Sequence, residues 1–168
     1  MSAVVLDVKG LSVAFGGVQA VDGLTFQVRE GEVLSVIGPN GAGKTSAFNC
    51  ITGFYKPQSG QVAFKGDDIT GGRPANIAAK GIARTFQNLR LFGELTVLDN
   101  VRAGTHVRLR QNAFDAILRT QRYRRSEQLA TDESNKWLDF VGIRSDRTAQ
   151  VRNLPYGEQR RVEIARAL

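Results

Sequence analysis

Hydrophobic and polar positions alternate along residues 4–15: Val4, Leu6 and Val8, then Leu11, Val13 and Phe15, stand against polar or small neighbours, with Gly10 where the phase slips. After Gly16-Gly17, the residues Leu24, Phe26 and Val28 repeat the period of two. This pattern predicts antiparallel strands with one face in water. The segment VLSVI at 33–37 is almost continuously apolar and predicts a strand buried on both faces of a parallel sheet. It leads into a glycine-rich turn and a helix that starts near Gly43 and stops at Gly53. Beyond Pro57, Ser59 and Gly60, QVAFKG predicts a short strand, Pro74 to Gly81 a compact helix, and Ile82 to Phe86 another strand. From Thr96 the chain turns helical, opened by Thr96-x-x-Asp99 at capping-box spacing. A second helix carries Ala130, Ser134, Trp137, Leu138 and Val141 on one face before Gly142 ends it. The order is therefore antiparallel strands, a βαβ-like core, then a helical block.

Composition adds limits. The 168 residues suffice for one domain with a core, and 42% hydrophobic with 23% charged residues is ordinary globular composition. No stretch reaches the ~18 uncharged apolar residues of a membrane span. Asp7 and Lys9 interrupt the run that a secretory signal needs, which argues for a cytoplasmic address, and the single cysteine, Cys50, agrees with a reducing compartment. The net charge of +7 is uneven: residues 1–101 hold nine basic and eight acidic side chains, and 102–168 hold fourteen and eight. An excess confined to the last third fits an anionic partner, or a chain cut before an acidic segment.

Candidate chemistry is concentrated in GPNGAGKTS, where Gly38, Pro39, Asn40, Gly41, Ala42, Gly43, Lys44, Thr45 and Ser46 fit G-x-x-x-x-G-K-[ST] between an expected strand and an expected helix. Small residues let backbone N–H groups converge on phosphate oxygens. The helix N-terminus adds its positive end, and Lys44 brings a mobile charge to the β and γ phosphates. Thr45 offers a hydroxyl to Mg²⁺. A dinucleotide loop is set aside because the last glycine of G-x-G-x-x-G is missing.

The segment LPYGEQRRVEIARAL, 154–168, resembles the signature LSGGQ-x-x-R-V-x-I-A-R-A-L of ATP-binding cassette (ABC) ATPases. It matches at Leu154, Gly157, Arg161, Val162, Ile164, Ala165, Arg166, Ala167 and Leu168. Phe15 ahead of the phosphate loop, and Gln87 in ARTFQNLRLFGELTVLDNV, fall in family order. More narrowly, GIARTFQNLRLFGELTVLDNV and the signature together resemble the ATP-binding subunits of branched-chain amino acid importers. The resemblance implies an α/β P-loop NTPase fold with an antiparallel β subdomain, a parallel-sheet core and a helical subdomain. Residues 1–95 would form the β subdomain and nucleotide-binding core, 96–156 the helical subdomain and 157–168 the signature helix.

The resemblance also implies residue roles. Phe15 would stack on adenine, although an alternating strand places aromatics in cores equally well. Lys44 and Gln87 would serve hydrolysis, with Thr45 and Gln87 near Mg²⁺. Pro155, Tyr156, Gly157 and Glu158 would close over ATP held by a second ATPase subunit, identical or different. Integral permease subunits would be the other partners, an extracytoplasmic substrate-binding protein an indirect one, and nucleic acid none. The address would be the inner face of the cell membrane. Pro155, Tyr156 and Glu158 depart from the family's serine, glycine and glutamine, so a hydroxyl contact is absent.

No apolar strand ending in Asp-Glu, and no later histidine, follows the signature, and His106 lies far earlier. The expectation is a truncated member of a ~250-residue domain, unable to hydrolyse ATP as written, with the parent protein an ATP hydrolase. A non-catalytic nucleotide-binding fragment and a soluble, non-transport ABC ATPase are the alternatives. The remaining features have plainer readings. RTQRYRR at 119–125 reads as a solvated helix face, Cys50 and Trp137 as packing, and Asp67-Asp68 as a turn.

Overall fold

A computed structural model describes residues 2–109 and 120–168, which divide into two compact units, Met1–Ile82 and Ala83–Leu168. The division falls at residue 82 and not at the expected 95, because side chains of the helical unit hold the backbone at Phe86, Gln87 and Phe92.

The first unit is built on a four-stranded antiparallel sheet. Strands β1 (Val4–Phe15), β2 (Val18–Arg29), β3 (Ser59–Phe64) and β4 (Asp67–Asp68) lie in the order β2-β1-β3-β4. The phase slip at Gly10 does not break β1 into two strands. Val8 pairs with Phe26 and Leu11 with Leu24, so β1 carries one extra residue there and Gly10 bulges at φ 57°. The bulge returns Leu11 and Val13 to the face that Val8 occupies, and all three are buried. Helix α1 (Lys44–Ile51) brings Cys50 and Ile51 to a core completed by Val62, Phe64, Ile69 and Ile77, the last from α2 (Pro74–Ala79). Cys50 is core, as expected, and burial pushes its thiol pKa up. Asp67 and Asp68 form the two-residue strand β4, where a turn was expected. Asp68 accepts from the Thr70 N–H in a side-chain turn, and its carboxyl pKa is depressed first by the Thr70 side chain and then by that N–H.

Two of the expected strands are corrected. Residues 33–37 and 82–86 are not strands, and the described sheet contains only antiparallel pairs. Val33 and Ile37 are both 92% exposed. A continuously apolar segment is stable as a strand when neighbours pair with both its edges and cover both its faces. Among the described residues no strand pairs with 33–37.

The second unit packs α3 (Val97–Leu109), α4 (Gln121–Phe140), a single 3-10 turn (Val151–Asn153) and α5 (Tyr156–Ala167) around Val97, Val101, Leu138, Val151, Leu154, Val162 and Ala165. Thr96 caps α3 as its spacing predicts, its hydroxyl accepting from the Asp99 N–H at 3.0 Å. Trp137 packs beside this core, edge-on to Phe140. Buried Asn100 ties the preceding loop to α3, donating to the Phe92 and Thr96 carbonyls and accepting from the Phe92 N–H at 2.8 Å. In the basic run, Arg124 and Arg125 are exposed, as a solvated face requires. Arg119 and the side chains of His106 and Arg122 lie outside the described residues. No described helix is long and apolar enough to cross a membrane.

Candidate nucleotide site

The phosphate loop arises where the chain leaves residues 33–37 and enters α1. Ala42 N–H closes a turn onto Pro39 O at 3.2 Å, and Gly41 and Gly43 take φ of 87° and 80°. Gly43 is fixed by two constraints at once: its backbone is left-handed, and a Cβ there would stand 1.9 Å from the Ala20 carbonyl oxygen of β2. No side chain caps α1, and its first turn holds no acidic residue. The positive helix end is therefore presented to an incoming anion without internal competition.

Lys44 arches back over this turn, its Nζ donating to Gly38 O at 2.5 Å and Pro39 O at 2.6 Å. An ammonium has three donors, so two orient the side chain along the loop and the third is left for a ligand. Thr45 is exposed one position on. Phe15, at the end of β1, is 45% exposed, which sets aside its reading as a core residue. Tyr55 packs edge-on against it with ring centroids 4.9 Å apart, forming an aromatic pair that the sequence alone did not single out.

In the second unit, Pro155 is the N-cap of α5 and its carbonyl accepts from the Glu158 and Gln159 N–H groups at 2.9 and 3.0 Å. A proline at the N-cap lacks an N–H that the helix does not use, so the departure at Pro155 leaves the first-turn amides of α5 in place. Tyr156 and Gly157 are exposed, and nothing lies within 4 Å of where a Gly157 side chain would begin. Glu158 is turned aside by a hydrogen bond from the Ser145 hydroxyl. This end of α5 thus offers open backbone amides to a partner or ligand.

Gln87 is exposed, and its backbone is held by residues that motif matching passes over. Arg160 donates to the Gln87 carbonyl and, at 2.7 Å, to Phe86 O, while Glu163 accepts from Phe86 N–H at 3.2 Å. The Tyr156 oxygen, together with Glu163, holds the Arg160 guanidinium pKa above its ordinary value. The only sequence signal for this arrangement is a carboxylate on the buried stripe of α5, between Val162 and Ala165.

A glycine turn with a lysine laid across it and an uncapped helix behind it has the form of a phosphate loop in the first unit, and the second unit carries the signature helix. The chain belongs to the ABC transporter family, whose family model matches residues 21–168. It is 44% identical over all 168 residues to the high-affinity branched-chain amino acid transport ATP-binding protein LivG of Salmonella typhimurium, and 44% identical to the corresponding protein BraF of Pseudomonas aeruginosa. The chain spans 66% of the length of each. Among solved structures it resembles MJ1267, an ATP-binding cassette of an ABC transporter, with TM-score 0.81 and 32% identity over 99% of this chain and 65% of that one. The ADP conformation of the same cassette gives a TM-score of 0.80.

Proposed function

We propose that the chain is the ATP-binding subunit of an importer for branched-chain or related amino acids, acting on the inner face of the membrane. The observation that carries this reading is the phosphate loop: left-handed Gly41 and Gly43, an uncapped α1 and Lys44 laid over the turn. The amides of the loop and Lys44 hold the phosphates of ATP, and Phe15 stacks its exposed face on adenine. Thr45 and Gln87 would be the side-chain oxygens that hold Mg²⁺, and the ion would supply neutralisation of the phosphate charge. The open amides at Tyr156 and Gly157 face the γ-phosphate of a nucleotide held by a second ATPase subunit. ATP then favours the closed pair of subunits and biases the permease toward one access state.

The 44% identity with LivG and BraF over all 168 residues of this chain supports the substrate class. The permease and an extracytoplasmic binding protein complete the assembly. A second reading, nucleotide binding without turnover, is favoured by Pro155 and Tyr156, which stand where the family signature carries serine and glycine. Uptake of labelled leucine into vesicles holding the full-length parent subunit with its permease and binding protein tests the proposal. ATP-dependent uptake that Lys44→Ala abolishes is expected. Uptake indifferent to Lys44→Ala refutes the proposal, and ATP binding with no uptake or turnover favours the second reading.

A further inference from the structure

The peptide beside Gln87 is gripped by two charged side chains one turn apart on α5. Arg160 Nη1 donates to Phe86 O at 2.7 Å and to Glu163 Oε2 at 3.1 Å, Arg160 Nη2 donates to Gln87 O, and Phe86 N–H donates to Glu163 Oε1 at 3.2 Å. The third arm of the guanidinium, Nε, donates to the Tyr156 hydroxyl at 3.1 Å. Glu163 is only 2% exposed and occupies the apolar stripe of α5 between Val162 and Ala165. Packing alone does not account for a carboxylate there, because an apolar side chain would fill that stripe without a desolvation cost. What the carboxylate does is fix both the guanidinium and the Phe86 amide.

The guanidinium is planar and rigid, so its donors set the two carbonyl oxygens of residues 86 and 87 at fixed positions relative to the Tyr156 oxygen. Tyr156 stands where the family signature carries glycine, and its hydroxyl is the anchor that glycine lacks. We propose that Tyr156, Arg160 and Glu163 are positioning residues: they form a clasp that locks the Gln87 main chain to the signature end of α5 and so presents the Gln87 side chain in one orientation. This rests on the reading of Gln87 as a contact to Mg²⁺ or the attacking water.

The test compares Arg160→Gln, Arg160→Lys and Tyr156→Phe in the assembled transporter by kcat and KM for ATP, and follows exchange of the Phe86 amide hydrogen in the subunit. Misplacing a positioned group is expressed in the rate and not in ground-state binding. Arg160→Gln is expected to lower kcat at least about tenfold with the KM for ATP unchanged, and to speed Phe86 amide exchange. Lysine, a point charge without the fork, should restore kcat only in part, and Tyr156→Phe should give a smaller loss of kcat. The clasp is refuted if Arg160→Gln leaves kcat at the wild-type value, or if kcat, KM and melting temperature decline together. A wild-type assembly that turns over no ATP refutes the Gln87 role instead. The clasp is then decided by exchange alone: faster exchange in Arg160→Gln retains it, and unchanged exchange removes it.

Discussion

Replacing Gly43 with alanine tests the local physics of the phosphate loop before any nucleotide is added. Its φ of 80° is a left-handed conformation that costs an L-residue about 1–2 kcal/mol. The added Cβ would lie 1.9 Å from Ala20 O, and contacts under 3.0 Å are essentially never seen, so β2 must retreat by about 1.1 Å. Residues 19 and 21 of β2 pair with Ala14 and Val13 of β1, and Val13 is buried, so that retreat loosens the sheet beside the core. The two terms together give about 2–4 kcal/mol of destabilisation. Gly41→Ala is the internal control. Its φ is 87°, but nothing stands within 4 Å of the added Cβ, so it carries the backbone term alone, about 1–2 kcal/mol. Urea unfolding followed by circular dichroism measures both. Gly43→Ala within about 0.5 kcal/mol of Gly41→Ala would refute the claim that β2 crowds the start of α1.

Other consequences are equally open to measurement. Leu138→Ala, at a fully buried site in α4, should cost about 2–5 kcal/mol in the same assay, and a loss under 1 kcal/mol would contradict the helical core described. Asn100→Ala leaves the Phe92 N–H without its partner, while the Phe92 carbonyl keeps the Leu95 N–H at 3.0 Å, and should cost about 1–3 kcal/mol, with faster exchange at the Phe92 amide. The Asp146 carboxyl pKa is depressed below 3.8, first by the Thr148 N–H and then by its hydroxyl. Its contribution to stability is therefore present above pH 3.8 and lost as pH falls through the lower folded-state value. Asp146→Asn should remove part of that acid-limb decline in a pH series of unfolding curves, and an identical acid limb would count against the Asp146–Thr148 turn.

Periodicity locates β1, β2 and α4 because each keeps one face on a core and one in water, and that contrast is what a sequence records. It also marks the slip at Gly10, but alternation alone does not say whether such a slip ends a strand or bulges it. The pairing of Leu11 with Leu24 decides for the bulge. At 33–37 the inference from apolarity to buried strand presumes neighbours, and strand formation is a property of the pair, not of the segment. The phosphate loop is legible because its chemistry is done by consecutive backbone groups, so spacing is preserved in the sequence. Phe15 is left open by sequence because alternation is blind to whether a strand end is covered. The grip of Arg160 and Glu163 on the Gln87 peptide is illegible for a different reason: it joins side chains to backbone carbonyls more than seventy residues away, as with the Arg160 to Phe86 bond, and carbonyls have no residue identity to read.

The central claim is that the turn from Gly38 to Ser46 binds the phosphates of ATP, and equilibrium dialysis of ATP with Mg²⁺ against the wild-type and Lys44→Ala chains tests it most directly. Loss of a charge-assisted hydrogen bond of about 1.5–3 kcal/mol corresponds to roughly a 10- to 150-fold weakening. Saturable binding at one site per chain, weakened by at least about tenfold in Lys44→Ala, is the expected result. No binding by the wild-type chain, or equal affinity in both, would contradict it.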